Sequence, residues 1–223
     1  MCNLFSKVKG LIIIFFLVAV PGCSPEKEGS PPMFADPKTA SDQALVTFRK
    51  LITKDNYKDL GFDSVEEVVG AQLGASLAVF FVRLDRLRDY QPGSDPNTLL
   101  SDSAQVYYPV LVKEQVRAAI VIEMADGKWK AARLGNAGLA KQISRVQKEA
   151  AAPSGGASEP DMIVQVPALG IYFIGRRGAD KKLTLIPLAT EPRYKLRAAA
   201  GQPAEEIFAA FVPFAKSYNG LPK

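Results

Sequence analysis

The sequence predicts an α+β fold, an antiparallel meander carrying packed amphipathic helices, ordered as two similar β-hairpin-plus-helix halves. Three observations predict it. Residues 105–135 alternate apolar and polar positions with a period of two and contain the tight-turn pair Asp126-Gly127. Residues 39–53, 136–150 and 203–218 carry apolar side chains at three- and four-residue steps, the period of a helix with one buried face. Between the two halves lies AAPSGGASEP, residues 151–160, a low-complexity joint.

The first helix rests on Ala44, Leu45, Phe48, Leu51 and Ile52, with Ser41 or Asp36 placed to cap its start. Ser64-Val65-Glu66-Glu67 has capping-box spacing and predicts a short helix to about Ala71. Leu77–Leu84 is apolar, aromatic and β-branched, hence a strand. Asp85–Leu100, with Pro92-Gly93 and Asp95-Pro96, reads as a surface loop. In the meander, Val106, Tyr108, Val110 and Val112 share one face, and Val116, Ala118, Ile120, Ile122 and Met124 continue the pattern, which predicts a sheet with one buried face. Pro109 cannot donate to a ladder, so its strand belongs at an edge or carries a bulge. Trp129 is a core residue of the hairpin. Asn136 caps a helix with Leu139, Ile143 and Val146 on its inner face. Met162–Val166, Gly170–Gly175 and Lys182–Ala189 are strands. The final helix opens at Pro203 and Glu205-Glu206, is kinked or split by Pro213, and closes at Gly220 and Pro222. A helix laid on such a meander resembles small cystatin-like and nuclear-transport-factor-like domains, folds that host many functions.

The amino-terminal stretch decides location. Lys7 and Lys9 precede Leu11–Val20, an unbroken apolar run shorter than the roughly 20 residues that span a bilayer. A basic start, a short apolar run and a small-residue exit describe a secretory signal peptide. Its exit, Val20-Pro21-Gly22-Cys23, resembles the lipobox of bacterial lipoproteins. The resemblance implies removal of residues 1–22, a diacylglyceryl thioether on Cys23 and acylation of its new amino terminus. Two or more acyl chains on one residue give firm anchoring. Ser24 in place of Asp, again by resemblance, directs such a protein to the outer membrane, facing the periplasm. Residues 23–37 then form the lipidated cysteine and a flexible, proline-rich tether, residues 38–150 an α+β domain, and residues 161–223 a hairpin plus carboxy-terminal helix.

Composition narrows function further. The chain has 223 residues, 48% of them hydrophobic, enough to build a core. It contains no histidine, and its two cysteines are Cys2, in the discarded peptide, and Cys23. This removes Ser-His-Asp and Cys-His nucleophilic pairs, His/Cys zinc sites and haem ligation, and leaves no internal disulfide. No cofactor is expected. Carboxylate chemistry remains, with Glu66-Glu67 and Asp85/Asp89 the nearest pairs, both better read as solvated faces. The net charge of +5 falls by two when Lys7 and Lys9 leave, and the remaining excess lies in residues 161–223, with nine basic and five acidic side chains. There Arg193, Lys195 and Arg197 alternate with Tyr194, Leu196 and Ala198, which on a strand aligns three cations on one face. Arg176, Arg177, Lys181 and Lys182 cluster at a nearby turn.

The sequence therefore points to a lipid-anchored envelope protein that is not an enzyme but an interaction or assembly module, membrane-bound through Cys23. A second reading makes the seven cations a patch for an anionic envelope component or an acidic protein surface. A third is a carboxylate-based hydrolase of envelope polymer. Export argues against nucleic acid as a partner.

Overall fold

In the computed structural model the described residues are 32–150 and 161–218. The signal peptide, Cys23, most of the tether, the 151–160 joint and the closing Gly220 and Pro222 lie outside them. The fold is α+β. Helix α1 spans Pro37–Leu51, and its cap is Asp36, whose carboxylate accepts from the Thr39 amide at 2.8 Å. Two residues, Gln72–Leu73, make β1, and β2 is Leu77–Val82. A five-residue helix α2, Leu84–Arg88, leads through a 3-10 turn into the meander of β3 (Leu100–Val112), β4 (Gln115–Ala125) and β5 (Lys128–Gly135). Helix α3 is Ala137–Glu149. Then follow β6 (Met162–Val166), β7 (Ile171–Arg177), β8 (Leu183–Pro187), the short β9 (Gln202–Pro203) and α4 (Ala204–Ser217).

The nine strands among the described residues belong to one sheet, ordered β5-β4-β3-β2-β6-β7-β8-β9, with β1 beside β3. Every pairing is antiparallel except β2 with β6, where Val79 faces Ile163 and Phe80 faces Val164. The segments on either side of the 151–160 joint thus meet through the first strand of each meander, β2-β3-β4 and β6-β7-β8. The β3–β4 and β4–β5 hairpin turns each have positive φ at two positions, Lys113-Glu114 and Asp126-Gly127, the twist that suits a two-residue reversal.

The sheet is covered on both faces, which corrects the expectation of a single buried face. On one face α1 packs over Tyr108, Val110, Ile120 and Ile122, and α4 with α2 covers Val164, Phe173, Leu183 and Leu185. On the other, α3 lies across the middle, burying Tyr107, Val121, Ile163, Ile174 and Ile186. Alternate residues of β4 and β6 are apolar in both registers because both sides need filling.

Four further expectations change. Residues 85–100 are not a surface loop: Leu87, Tyr90 and Leu99 are buried against α4, with the Tyr90 and Phe208 rings edge to face at 6.0 Å. The 190s form no strand. Pro192–Tyr194 is a 3-10 turn, Lys195 is left-handed, and a Glu191–Leu196 bridge closes the loop. Helix α4 runs unbroken through Pro213. Ser64 gives no side-chain cap to the 3-10 helix Glu66–Gly70; Glu67 instead accepts from the Asp63 amide at 3.0 Å. Pro109 lies in an interior strand, beside the register shift at Val110/Leu111. Its carbonyl accepts from Gly74 in the gap between β1 and β2, and its ring nitrogen falls in that same gap, where no ladder donor is needed.

One backbone approach fixes how the turn after α1 meets β4 and the start of α3. Gly61 has φ +94°, and a Cβ there would sit 2.1 Å from the Arg117 carbonyl oxygen and 2.5 Å from the Ala137 Cβ. A side chain at this position has neither the dihedral nor the room.

Candidate functional site: an arginine-aromatic cleft at the end of α4

Helix α4 carries an apolar stripe, with Ile207, Phe208, Phe211 and Ala215 buried against β7, β8 and α2. That packing leaves the last turn of the helix at the rim of the sheet. Arg88 holds it there: its Nε donates to the Ala215 carbonyl and its terminal nitrogen to the Tyr218 carbonyl, both at 2.8 Å. These carbonyls have no partner within the helix, so the guanidinium supplies the cap and the favourable charge for the negative helix end.

Against this end lie two short turns, Pro167–Leu169 joining β6 to β7, and Pro192–Tyr194. Together with Phe214, Ser217 and Tyr218 they enclose a cleft of about 330 Å³. The Tyr194 ring is buried and meets Phe211 and Phe214 edge to face at 5.1 and 4.7 Å. Arg193 is exposed, and its guanidinium carbon lies 5.4 Å from the Tyr194 ring centre and 5.2 Å from that of Phe214. Two ring faces therefore orient a planar five-donor group that no carboxylate among the described residues neutralises. The cleft combines that group with apolar Leu169 and Phe214 and with the more polar Ser217 and Tyr218. It can take a carboxylate or another flat anion attached to an apolar or extended chain.

Neither a known protein family, nor a curated protein, nor a solved structure matches the chain.

The seven cations singled out in the sequence are not brought together. Arg176 and Arg177 are successive on β7 and point to opposite faces of the sheet. Arg176 lies on the α3 side, chelating Asp161 at 2.9 and 3.1 Å and donating to the Ala150 carbonyl at 2.9 Å. Arg177 lies on the α4 side, over the Phe80 ring, and donates to Asn97 at 3.0 Å. Lys181 and Lys182 are exposed at the β7–β8 turn, Lys182 paired with Asp180 at 3.4 Å. That turn and the Arg193 cleft occupy opposite ends of β7, about 20 Å apart at roughly 3.3 Å per strand residue. Arg193, Lys195 and Arg197 are all exposed, with Tyr194 and Leu196 buried between them, but they ride a turn and not a strand.

Two of the candidate carboxylates are engaged. Glu67 pairs with Arg117 at 2.9 Å, and the Arg83 guanidinium beside Asp85 holds its carboxyl below the usual range. Asp95 and Asp180 accept turn amides, which lowers both. Among the described residues no group of three or more acidic or cysteine side chains is placed to hold a metal. A second cavity, of about 70 Å³, lies beneath the start of α3 and is lined by Val79, Tyr107, Val121, Ile163 and Leu139. The Tyr107 hydroxyl is buried with no hydrogen-bond partner among the described residues, and desolvation raises it far above an ordinary phenol.

Proposed function

We propose that the chain is a lipid-anchored envelope protein acting as a non-enzymatic interaction module, and that the Arg193 cleft is where it engages a partner bearing a carboxylate. The single observation carrying the reading is the guanidinium of Arg193, held over two rings with no carboxylate partner among the described residues, beside a cleft of mixed polar and apolar lining. A group in that state is ready to bind without reorganising, which is where affinity is otherwise lost. The Val20-Pro21-Gly22-Cys23 exit supports the anchor. No helix among the described residues is long and apolar enough to cross a membrane. The separation of the basic groups disfavours the second reading, a broad anionic-surface binder. The engagement of Glu67 with Arg117 and of Asp85 with Arg83 disfavours the third, since hydrolysis by paired acids needs two free ones facing each other across a cleft.

A photo-crosslinker at Lys195, beside the cleft, tests this in intact cells against a control at Lys141 on α3. One defined adduct from position 195, lost when Arg193→Ser is added, is expected. Identical adduct patterns from both positions, or an adduct indifferent to Arg193, would overturn the reading.

A further inference from the structure

Five large apolar side chains are notably exposed among the described residues, Met33, Val46, Leu51, Val69 and Met124, and two of them, Met33 and Met124, adjoin one strand bridge. Phe34 forms a bridge with Trp129 on the outer edge of β5, exchanging both backbone hydrogen bonds at 2.7 and 2.8 Å. Trp129 is in turn the register partner of Met124, across the Asp126-Gly127 turn. The hairpin tip therefore presents Met124 (44% exposed) and half-buried Trp129, with Lys128 exposed beside them and Met33 (39% exposed) next to Phe34 in the chain. Trp129 is the single tryptophan of the chain. Tryptophan with flexible apolar neighbours and a lysine that can reach head groups is a composition suited to the membrane–water boundary.

We infer that this hairpin tip is a second membrane contact, resting on the bilayer surface into which Cys23 is anchored. The inference rests on the lipid-anchor reading, and the position of the tether argues for the occupant. Phe34 is the point where the chain from Cys23 locks onto the sheet, eleven residues after the cysteine. Fully extended, that stretch reaches at most about 40 Å. A surface held so close meets the bilayer at an effective concentration in the millimolar range, enough to populate a contact too small to bind alone. The tip makes the anchor directional: the Phe34–Trp129 edge turns toward lipid.

The test uses the purified acylated full-length protein in phosphatidylcholine vesicles, with and without brominated acyl chains, and reads Trp129 emission. A shift to shorter wavelength and at least twofold quenching by the brominated lipid are expected. Met33→Asp with Met124→Asp should remove most of the quenching while flotation with vesicles and the far-UV spectrum stay unchanged. Trp129 that stays unquenched on vesicle-bound acylated protein overturns the contact. The intact mass separates the two claims. If Cys23 is unmodified, the anchor reading fails by itself, and the same quenching measurement is made on a Cys23→Ser chain held at position 23 by a histidine tag on nickel-chelating vesicles. Quenching there supports the tip; its absence overturns it.

Discussion

Arg88 reaches out of the five-residue helix α2 to cap the carboxyl end of α4, its Nε donating to the Ala215 carbonyl at 2.8 Å. The contact joins residues 127 apart and closes the turn that carries one wall of the cleft. Arg88→Met keeps the apolar stem and removes both charged hydrogen bonds. We expect a loss of about 1.5–3 kcal/mol in urea unfolding, and weaker crosslinking from position 195, because Tyr218 is released. Unaltered stability together with unaltered crosslinking would show that the cap holds nothing.

Tyr107 invites the opposite experiment. Its hydroxyl is buried without a partner, so Tyr107→Phe is expected to be neutral or stabilising by about 1 kcal/mol, the cost of a desolvated, unmade hydrogen bond. The pH dependence follows from the upward shift of the phenol. Below about pH 10, the ordinary phenol value, both folded and unfolded forms are protonated and the shift contributes nothing to the slope. Above it the unfolded chain releases the proton and the folded one keeps it, so the native state loses stability as pH rises. Tyr107→Phe should flatten this alkaline fall between pH 9 and 11. A slope equal to that of the parent would assign the fall to other groups.

Gly61→Ala should be among the most damaging single changes. It combines a positive φ with a Cβ 2.1 Å from the Arg117 carbonyl oxygen and 2.5 Å from the Ala137 Cβ, so β4 and the start of α3 would both have to yield. A loss of about 3 kcal/mol or more is expected, seen as reduced soluble yield or a lowered denaturation midpoint. Gly127→Ala, also at positive φ but with open space around it, should cost only about 1 kcal/mol.

Arg176 and Asp161 clip the end of α3 to the start of β6, with side chains only 20% and 17% exposed. Arg176→Gln should cost about 2–3 kcal/mol, since Asp161 is then left largely buried with no cation and only the Gln147 amide as a side-chain donor. The same variant should leave retention on anionic vesicles unchanged, because its charge is already spent on Asp161. A drop in retention without a change in stability would return Arg176 to the surface patch.

How much of this was readable beforehand depended on whether the signal was local. The Asp126-Gly127 reversal, the alternation of β3 and β4, the Asn136 and Asp36 caps and the stripe of α4 are all set by neighbours within a few residues, and they stand as expected. Residues 84–90 misled because a five-residue helix is too short to display a period, and its turn residues outweighed Leu87 and Tyr90. The 190s misled for another reason: in-out alternation there comes from a 3-10 turn closed by Glu191 and Leu196, which buries Tyr194 and Leu196 as a strand would. Of the cleft, Arg193 was legible as an exposed cation. Its companions were not, because Pro167–Leu169 and Phe214–Tyr218 meet it only through the order of strands, and nothing in the local sequence announces that β2 runs parallel to β6.

That parallel seam has a consequence for how the chain is made. Strand β2 is complete, with β3 on one side, long before Met162–Val166 emerge to occupy the other. In the interval its vacant margin offers Val79, Phe80 and Phe81 to any sticky neighbour, an open invitation to clumping. Nascent or truncated chains ending near residue 150 should therefore depend on a holding chaperone, and the finished molecule should not.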